Sequence, residues 1–145
     1  MAQSRDERSC AVAVSSQRDV ERVRREARVT ATRIGFGREE AEAVALVVSE
    51  LATNLVRYAP GGELLVTTCS KGTRTGIAIE SRDDGPGIAD VALALQDGYS
   101  TGGGLGSGLP AVRRLMDDFA LTTGPAGTRV EAHKWLNTHT PSRLP

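Results

Sequence analysis

Leu46–Ala59, LVVSELATNLVRYA, is the stretch on which the reading of the whole chain turns. Wound as a helix, Val44, Val47, Val48, Leu51, Leu55 and Ala59 give it a broad apolar surface at a 3.6-residue period. Glu50 and Asn54, four apart, are neighbours on one face, and Arg57 extends the line. Carboxylate and amide are both costly to bury without partners. Such a line on a helix apolar nearly all round faces either a ligand cavity or, as the edge of an ordinary amphipathic helix, water. The rest of the chain weighs between the two.

Upstream, Ser9–Ser16 (SCAVAVSS) predicts a strand. Val20, Val23, Ala27, Ala31 and Ile34 recur at spacings of three and four and predict an amphipathic helix stopped at Gly35-Phe36-Gly37. Arg38-Glu39-Glu40 opens the central helix with acids in its first turn, and Pro60-Gly61-Gly62 ends it. Downstream, Glu63–Ser70 and Thr75–Ser81 predict strands joined through Lys71-Gly72-Thr73-Arg74. Asp83–Ile88, DDGPGI, is expected to be neither helix nor strand. A short helix over Asp90–Gln96 then leads to a glycine-rich run, a helix over Leu109–Phe119, and strands at Ala120–Thr123 and Thr128–Trp135 about the turn Gly124-Pro125-Ala126-Gly127. The expected architecture is a single α+β domain over residues 9–136, a two-layer sandwich with a mixed sheet and helices on one face. Residues 1–8 and 137–145 are read as short tails.

Composition narrows the function classes. Eighteen basic residues balance eighteen acidic ones, so the net charge is zero. That argues against a nucleic-acid partner, since neutralising phosphates needs a clustered excess of Lys and Arg. The basic residues from Arg18 to Arg33 are interleaved with Asp19, Glu21 and Glu26 and read as a solvated helix face. Cys10 and Cys69 show no metal-binding or redox spacing and are expected to be buried free thiols. No apolar run has the length of a membrane span, and the polar start MAQSRDERSC does not resemble a signal peptide. A soluble, cytoplasmic protein with no membrane partner is expected.

Three features carry chemistry: Glu50 with Asn54 on the central helix, the DDGPG turn after a strand, and the glycines Gly102–Gly108 before a helix. Glycines ahead of a helix suit phosphate, because bare backbone N–H groups and the positive helix end both favour an anion. The spacing fits neither GxxxxGK[ST] nor GxGxxG, so neither a P-loop nor a dinucleotide-binding fold is indicated. An acid ending a strand can accept from an exocyclic amine, and flanking glycines let a flat ring approach the backbone. A plain turn and a plain glycine linker account for the second and third features taken singly.

Taken together and in order, ExxxN on a helix, DxGxG after a strand, GxGLGxG before a helix and Gly-Thr before the last strand resemble the motif set of the gyrase–chaperone–histidine-kinase–MutL (GHKL) ATP-binding superfamily. Within it, the stretches GFG at Gly35, SELATN at Ser49, DDGPGI at Asp83, DGYSTGGGLGSGLPAVRRLMDDF at Asp97 and HKWL at His133 are similar to the small bacterial serine/threonine switch kinases of partner-switching, stressosome-type pathways. The likeness spans roughly Ser9 to Leu136. It implies a Bergerat-type ATP-binding fold and Mg²⁺-ATP as cofactor.

The resemblance also implies roles. Glu50 would be the catalytic acid that orients and deprotonates the attacking hydroxyl, and Asn54 would hold Mg²⁺ through its amide oxygen. Asp83 would accept from the adenine amino group, supported by Thr128, with Gly85 and Gly87 flooring the pocket. Ser100, Thr101, Gly102, Gly103, Gly104, Leu105, Gly106, Ser107, Gly108 and Leu109 would form the lid and helix start that bind the phosphates. Two departures limit the match: Tyr58 stands where many members carry histidine, and the lid has no lysine or arginine, leaving Arg57 and Arg113 as candidates for that charge. By the same likeness the substrates would be STAS-domain antagonists, and the kinase, once released, would activate a PP2C-type phosphatase. An anti-sigma factor of the related kinase class and a non-catalytic nucleotide-binding module are the alternatives.

Overall fold

A computed structural model describes residues 9–88 and 108–136, with side chains described from Ala11 onward. The element order is β1 (Ser9–Val14), α1 (Gln17–Ile34), α2 (Arg38–Tyr58), β2 (Gly62–Lys71), β3 (Arg74–Asp83), α3 (Gly108–Leu115), β4 (Asp118–Gly124) and β5 (Gly127–Trp135). The five strands form one sheet in the order β1-β2-β3-β5-β4.

Helix α1 begins where the sequence offers a reciprocal cap. Ser16 sits outside the helix and its hydroxyl accepts from the Asp19 backbone N–H at 3.4 Å, while Asp19 Oδ2 accepts from Ser16 at 3.2 Å and Ser15 at 2.9 Å. Gly35 ends it at φ +116, with its N–H on the carbonyls of Ala31 and Thr32. The buried stripe Val20, Val23, Ala27 and Ala31 turns inward, and the Arg28–Glu42 pair, at 2.8 Å, ties α1 to α2. Helix α2 is buried along Ala41, Val44, Ala45, Val47, Val48, Leu51, Ala52 and Leu55. That breadth fits a helix packed against the sheet, α1 and α3 together.

The sheet presents alternate residues to these helices. Val12, Val14, Leu64, Val66, Ile77, Ile79, Val130 and Ala132 are buried on that side. On the other face an alternating ladder runs from Glu63 through Arg82, Glu80 and Arg129 to Glu131. The two layers, helices on one face, are as expected. The expected mixed sheet is not found: each of the four pairings is antiparallel. Hairpins join β2 to β3 and β4 to β5, and two consecutive helices between β1 and β2 return the chain with its direction reversed.

Other boundaries move for physical reasons. β3 runs to Asp83, two residues beyond the expected end, because Arg82 and Asp83 pair with Arg129 and Thr128 of β5. The segment DDGPGI is therefore entered in the extended state, and its first acid belongs to the sheet. Phe119, expected on the last helix, lies in β4. Helix α3 stops at Leu115, where Lys134 Nζ donates to the Leu115 carbonyl at 2.9 Å, and the Asp117 N–H then turns to the His133 carbonyl at 2.8 Å. Phe119 still packs against the core, from the sheet side. Cys69 is a free thiol but only half-buried, since it lies near the end of β2 on the open face of the sheet; the Cys10 side chain is outside the described residues. The helix expected at Asp90–Gln96 and the tails also lie outside them.

Candidate functional site

The chemistry-bearing residues gather at one end of the helix-facing side. Asp83 is the last residue of β3, and Thr128, second in β5, pairs directly with it. Thr123 pairs with Thr128 from the other side. Directly opposed residues of an antiparallel pair share a face, with Cβ atoms about 5 Å apart. Asp83, Thr128 and Thr123 therefore form one polar row across the end of the sheet.

The turn that follows is pinned at three points. Asp83 Oδ1 accepts from the Gly85 N–H at 2.8 Å, and this leaves Oδ2 without a protein partner among the described residues. Gly85 packs over the end of α2, where a Cβ would stand 3.5 Å from that of Ala59. Gly87 adopts φ +88, and a Cβ there would strike the Gly124 carbonyl oxygen; only glycine permits both the conformation and the contact. Ile88 then donates its N–H to Thr123 Oγ1 at 2.8 Å, and the Thr123 and Thr128 hydroxyl oxygens are 2.8 Å apart. The carboxylate is held by its own turn, and the turn is held by the β4–β5 hairpin.

Glu50 and Asn54, both half-buried, stand one turn apart on α2. Glu50 Oε1 accepts from the backbone N–H of Gly108, the first residue of α3, at 3.0 Å. The acid of the central helix thus meets the end of the glycine-rich run across 58 residues of sequence. Gly108 has φ +43 and Leu109 is buried. Ser100, Thr101, Gly102, Gly103, Gly104, Leu105, Gly106 and Ser107 lie outside the described residues. Arg57 and Arg113 are exposed, and Tyr58 is 55% exposed.

A cavity of about 610 Å³ adjoins the turn, lined among others by Ala59, Gly62, Arg82, Asp83 and Gly85. It opens on the Arg82 side and reaches neither Asn54 nor Thr128, so it borders the polar row rather than coinciding with it. Among the described residues no cluster of three or more His, Cys, Asp or Glu could hold a metal. A single amide oxygen suits Mg²⁺, which keeps several waters and takes few protein ligands when phosphates supply the rest. Thr123 was not among the expected residues. Its signal is present, though weak: Thr122-Thr123-Gly124 ends one strand where Gly127-Thr128 begins the next, so a hairpin register at once opposes the two hydroxyls.

The model of the histidine kinase-like ATPase domain family matches residues 13–134. The serine/threonine-protein kinase RsbT of Bacillus subtilis (strain 168) is 38% identical over 132 residues, covering 90% of this chain and 98% of that protein. Among solved structures, the RsbU and RsbW domains of a Mycobacterium tuberculosis protein match with a TM-score of 0.61 at 15% identity. That match covers 88% of this chain and 32% of the other, a likeness of fold.

Proposed function

This chain belongs to the histidine kinase-like ATPase domain family, and we propose that it is a Mg-ATP-dependent serine/threonine protein kinase acting on STAS-domain antagonists in a partner-switching pathway. The observation that carries the reading is the convergence of two separate sequence signals on one end of the fold. The turn after β3 offers a carboxylate with one oxygen tied down and the other available, and Glu50 stands at the N-terminus of α3. The near full-length relationship to a named serine/threonine kinase supports the same activity.

In this reading the Asp83 carboxylate receives the amino group of adenine, and Gly85 and Gly87 leave room for the ring. Asn54 holds Mg²⁺, and the start of α3, with Gly108 and Leu109, receives phosphate at its positive end. Residues 100–107 complete the phosphate contacts. Bound Mg-ATP supplies the phosphoryl group and the charge neutralisation that its transfer needs. Glu50 orients the substrate hydroxyl and takes its proton, as a general base within hydrogen-bond reach. Its Oε1 is directed by the Gly108 N–H, which leaves Oε2 for the hydroxyl.

Residues 9–136 form the catalytic domain, the protein acts in the cytoplasm, and a released kinase binds a PP2C-type phosphatase. Among the described residues no helix is long and apolar enough to cross a membrane. The test is transfer of label from γ-labelled ATP to a Ser or Thr of a purified STAS protein. Transfer by the wild type that vanishes in Glu50→Ala is the expected result. Magnesium-dependent nucleotide binding without transfer would move the protein to the sequestering or purely binding class.

A further inference from the structure

We infer that Thr123 sets the direction of the Thr128 hydroxyl hydrogen, and so makes Thr128 a hydrogen-bond donor to the ring nitrogen beside the amino group of adenine. The inference rests on the adenine-site reading above and adds to it a positioning residue for base selection.

The argument is one of hydrogen-bond accounting. A threonine hydroxyl has one hydrogen and two lone pairs. One lone pair of Thr123 is taken by the Ile88 N–H at 2.8 Å. The Thr128 oxygen is a further 2.8 Å away, and either hydroxyl could donate across that gap. If Thr128 donated, both lone pairs of Thr123 would be filled, and its own hydrogen would have no protein acceptor among the described residues. Donation from Thr123 satisfies every group, and an unmade bond in a half-buried place is the costlier arrangement. The Thr128 hydrogen is then turned away from Thr123 and towards its other neighbour in the row, Asp83.

The end of the sheet thereby shows an acceptor, the free oxygen of Asp83, next to a donor, the Thr128 hydroxyl. Adenine shows the complement on one edge: a donor at its 6-amino group and an acceptor at N1. Guanine and hypoxanthine show the reverse, an acceptor at O6 and a donor at N1. Asp83 alone reads the 6-position. Reading N1 requires a hydroxyl of fixed direction, and the backbone N–H of Ile88, acting through Thr123, fixes it. Because Ile88 belongs to the same turn as Gly85 and Gly87, the turn that makes room for the ring also orients the group that reads it.

The test compares Mg-ADP with Mg-1-deaza-ADP, in which N1 is replaced by C–H and the amino group is kept, by calorimetric titration of the full chain. Wild type should favour ADP by about tenfold, the worth of one well-placed hydrogen bond. Thr123→Val keeps the shape and removes the hydroxyl, and should shrink that preference to about twofold or less; Thr123→Ser should restore it. If Thr123→Val weakens both ligands equally and leaves the ratio at its wild-type value, Thr123 is only a tether for the loop and the inference fails. A wild type that binds neither ligand would overturn the nucleotide-site reading and this inference with it. Hydrogen exchange at the Ile88 amide is an independent check that Thr123→Ser still makes the first bond of the relay.

Discussion

Gly87→Ala should loosen the turn that carries the site, and the structure gives the size of the effect. At φ +88 a Cβ-bearing residue is strained by roughly 1–2 kcal/mol. The new methyl also meets the Gly124 carbonyl, which is backbone and cannot swing aside, and approaches Thr123 Oγ1 to 3.1 Å. The turn must lift, and the Ile88–Thr123 hydrogen bond, worth about 1 kcal/mol, is lost with it. The sum is about 2–3 kcal/mol, or a fall of roughly 6–9 °C in Tm for a domain of this size. Gly124→Ala provides the control, because it sits across the same contact with nothing within 4 Å of a new Cβ. By narrowing the unfolded ensemble it should be neutral or stabilise by up to about 1 kcal/mol. Thermal unfolding by circular dichroism of both variants is the assay. Equal shifts in the two, or a Gly87→Ala protein that melts with the wild type, would refute the claim that the turn is seated against the hairpin.

Two further outcomes follow from other parts of the fold. Backbone N–H groups, that of Ser15 first and then Ser16, hold the Asp19 carboxyl below its ordinary value of 3.8. A lowered folded pKa gives stability that is present above the unfolded value and lost as pH falls through the folded one. The difference in urea midpoint between wild type and Asp19→Ala should therefore be larger at about pH 6 than at about pH 2, and equal differences would contradict the capping role. Lys134→Met removes the donor on the Leu115 carbonyl while keeping the aliphatic stem. It should cost about 1–2 kcal/mol in denaturant unfolding, and no change would mean that the α3 terminus is held by other contacts.

Much of this was legible in the sequence, and what was missed has physical causes. The central helix announced itself because its apolar positions recur over five turns, and Ser16, Gly35 and Gly72 are read from local conformational preference alone. The pairing direction of the strands is not local: it depends on how many elements intervene, and two helices between β1 and β2 make that pair antiparallel. Asp83 was expected outside the sheet because Asp-Asp-Gly-Pro is turn chemistry, yet β5 supplies a partner that holds it extended. Phe119 continued a helical spacing, but Asp117 and Lys134 end the helix through bonds to residues far along the chain. Thr123 escaped notice for the same reason. Its role depends on Ile88, 35 residues away, and on a register that becomes visible only once the hairpin is built.

The central claim is that the end of β3, its pinned turn and the Thr123–Thr128 pair form one adenine-binding edge. Calorimetric titration of Mg-ADP into the wild type and into Asp83→Asn tests it most directly, since the substitution keeps size and shape while giving the edge a donor in place of an acceptor oxygen. The account predicts binding by the wild type and a loss of at least tenfold in Asp83→Asn, with the thermal transition of the free protein unchanged. Equal affinities for the two proteins would contradict it.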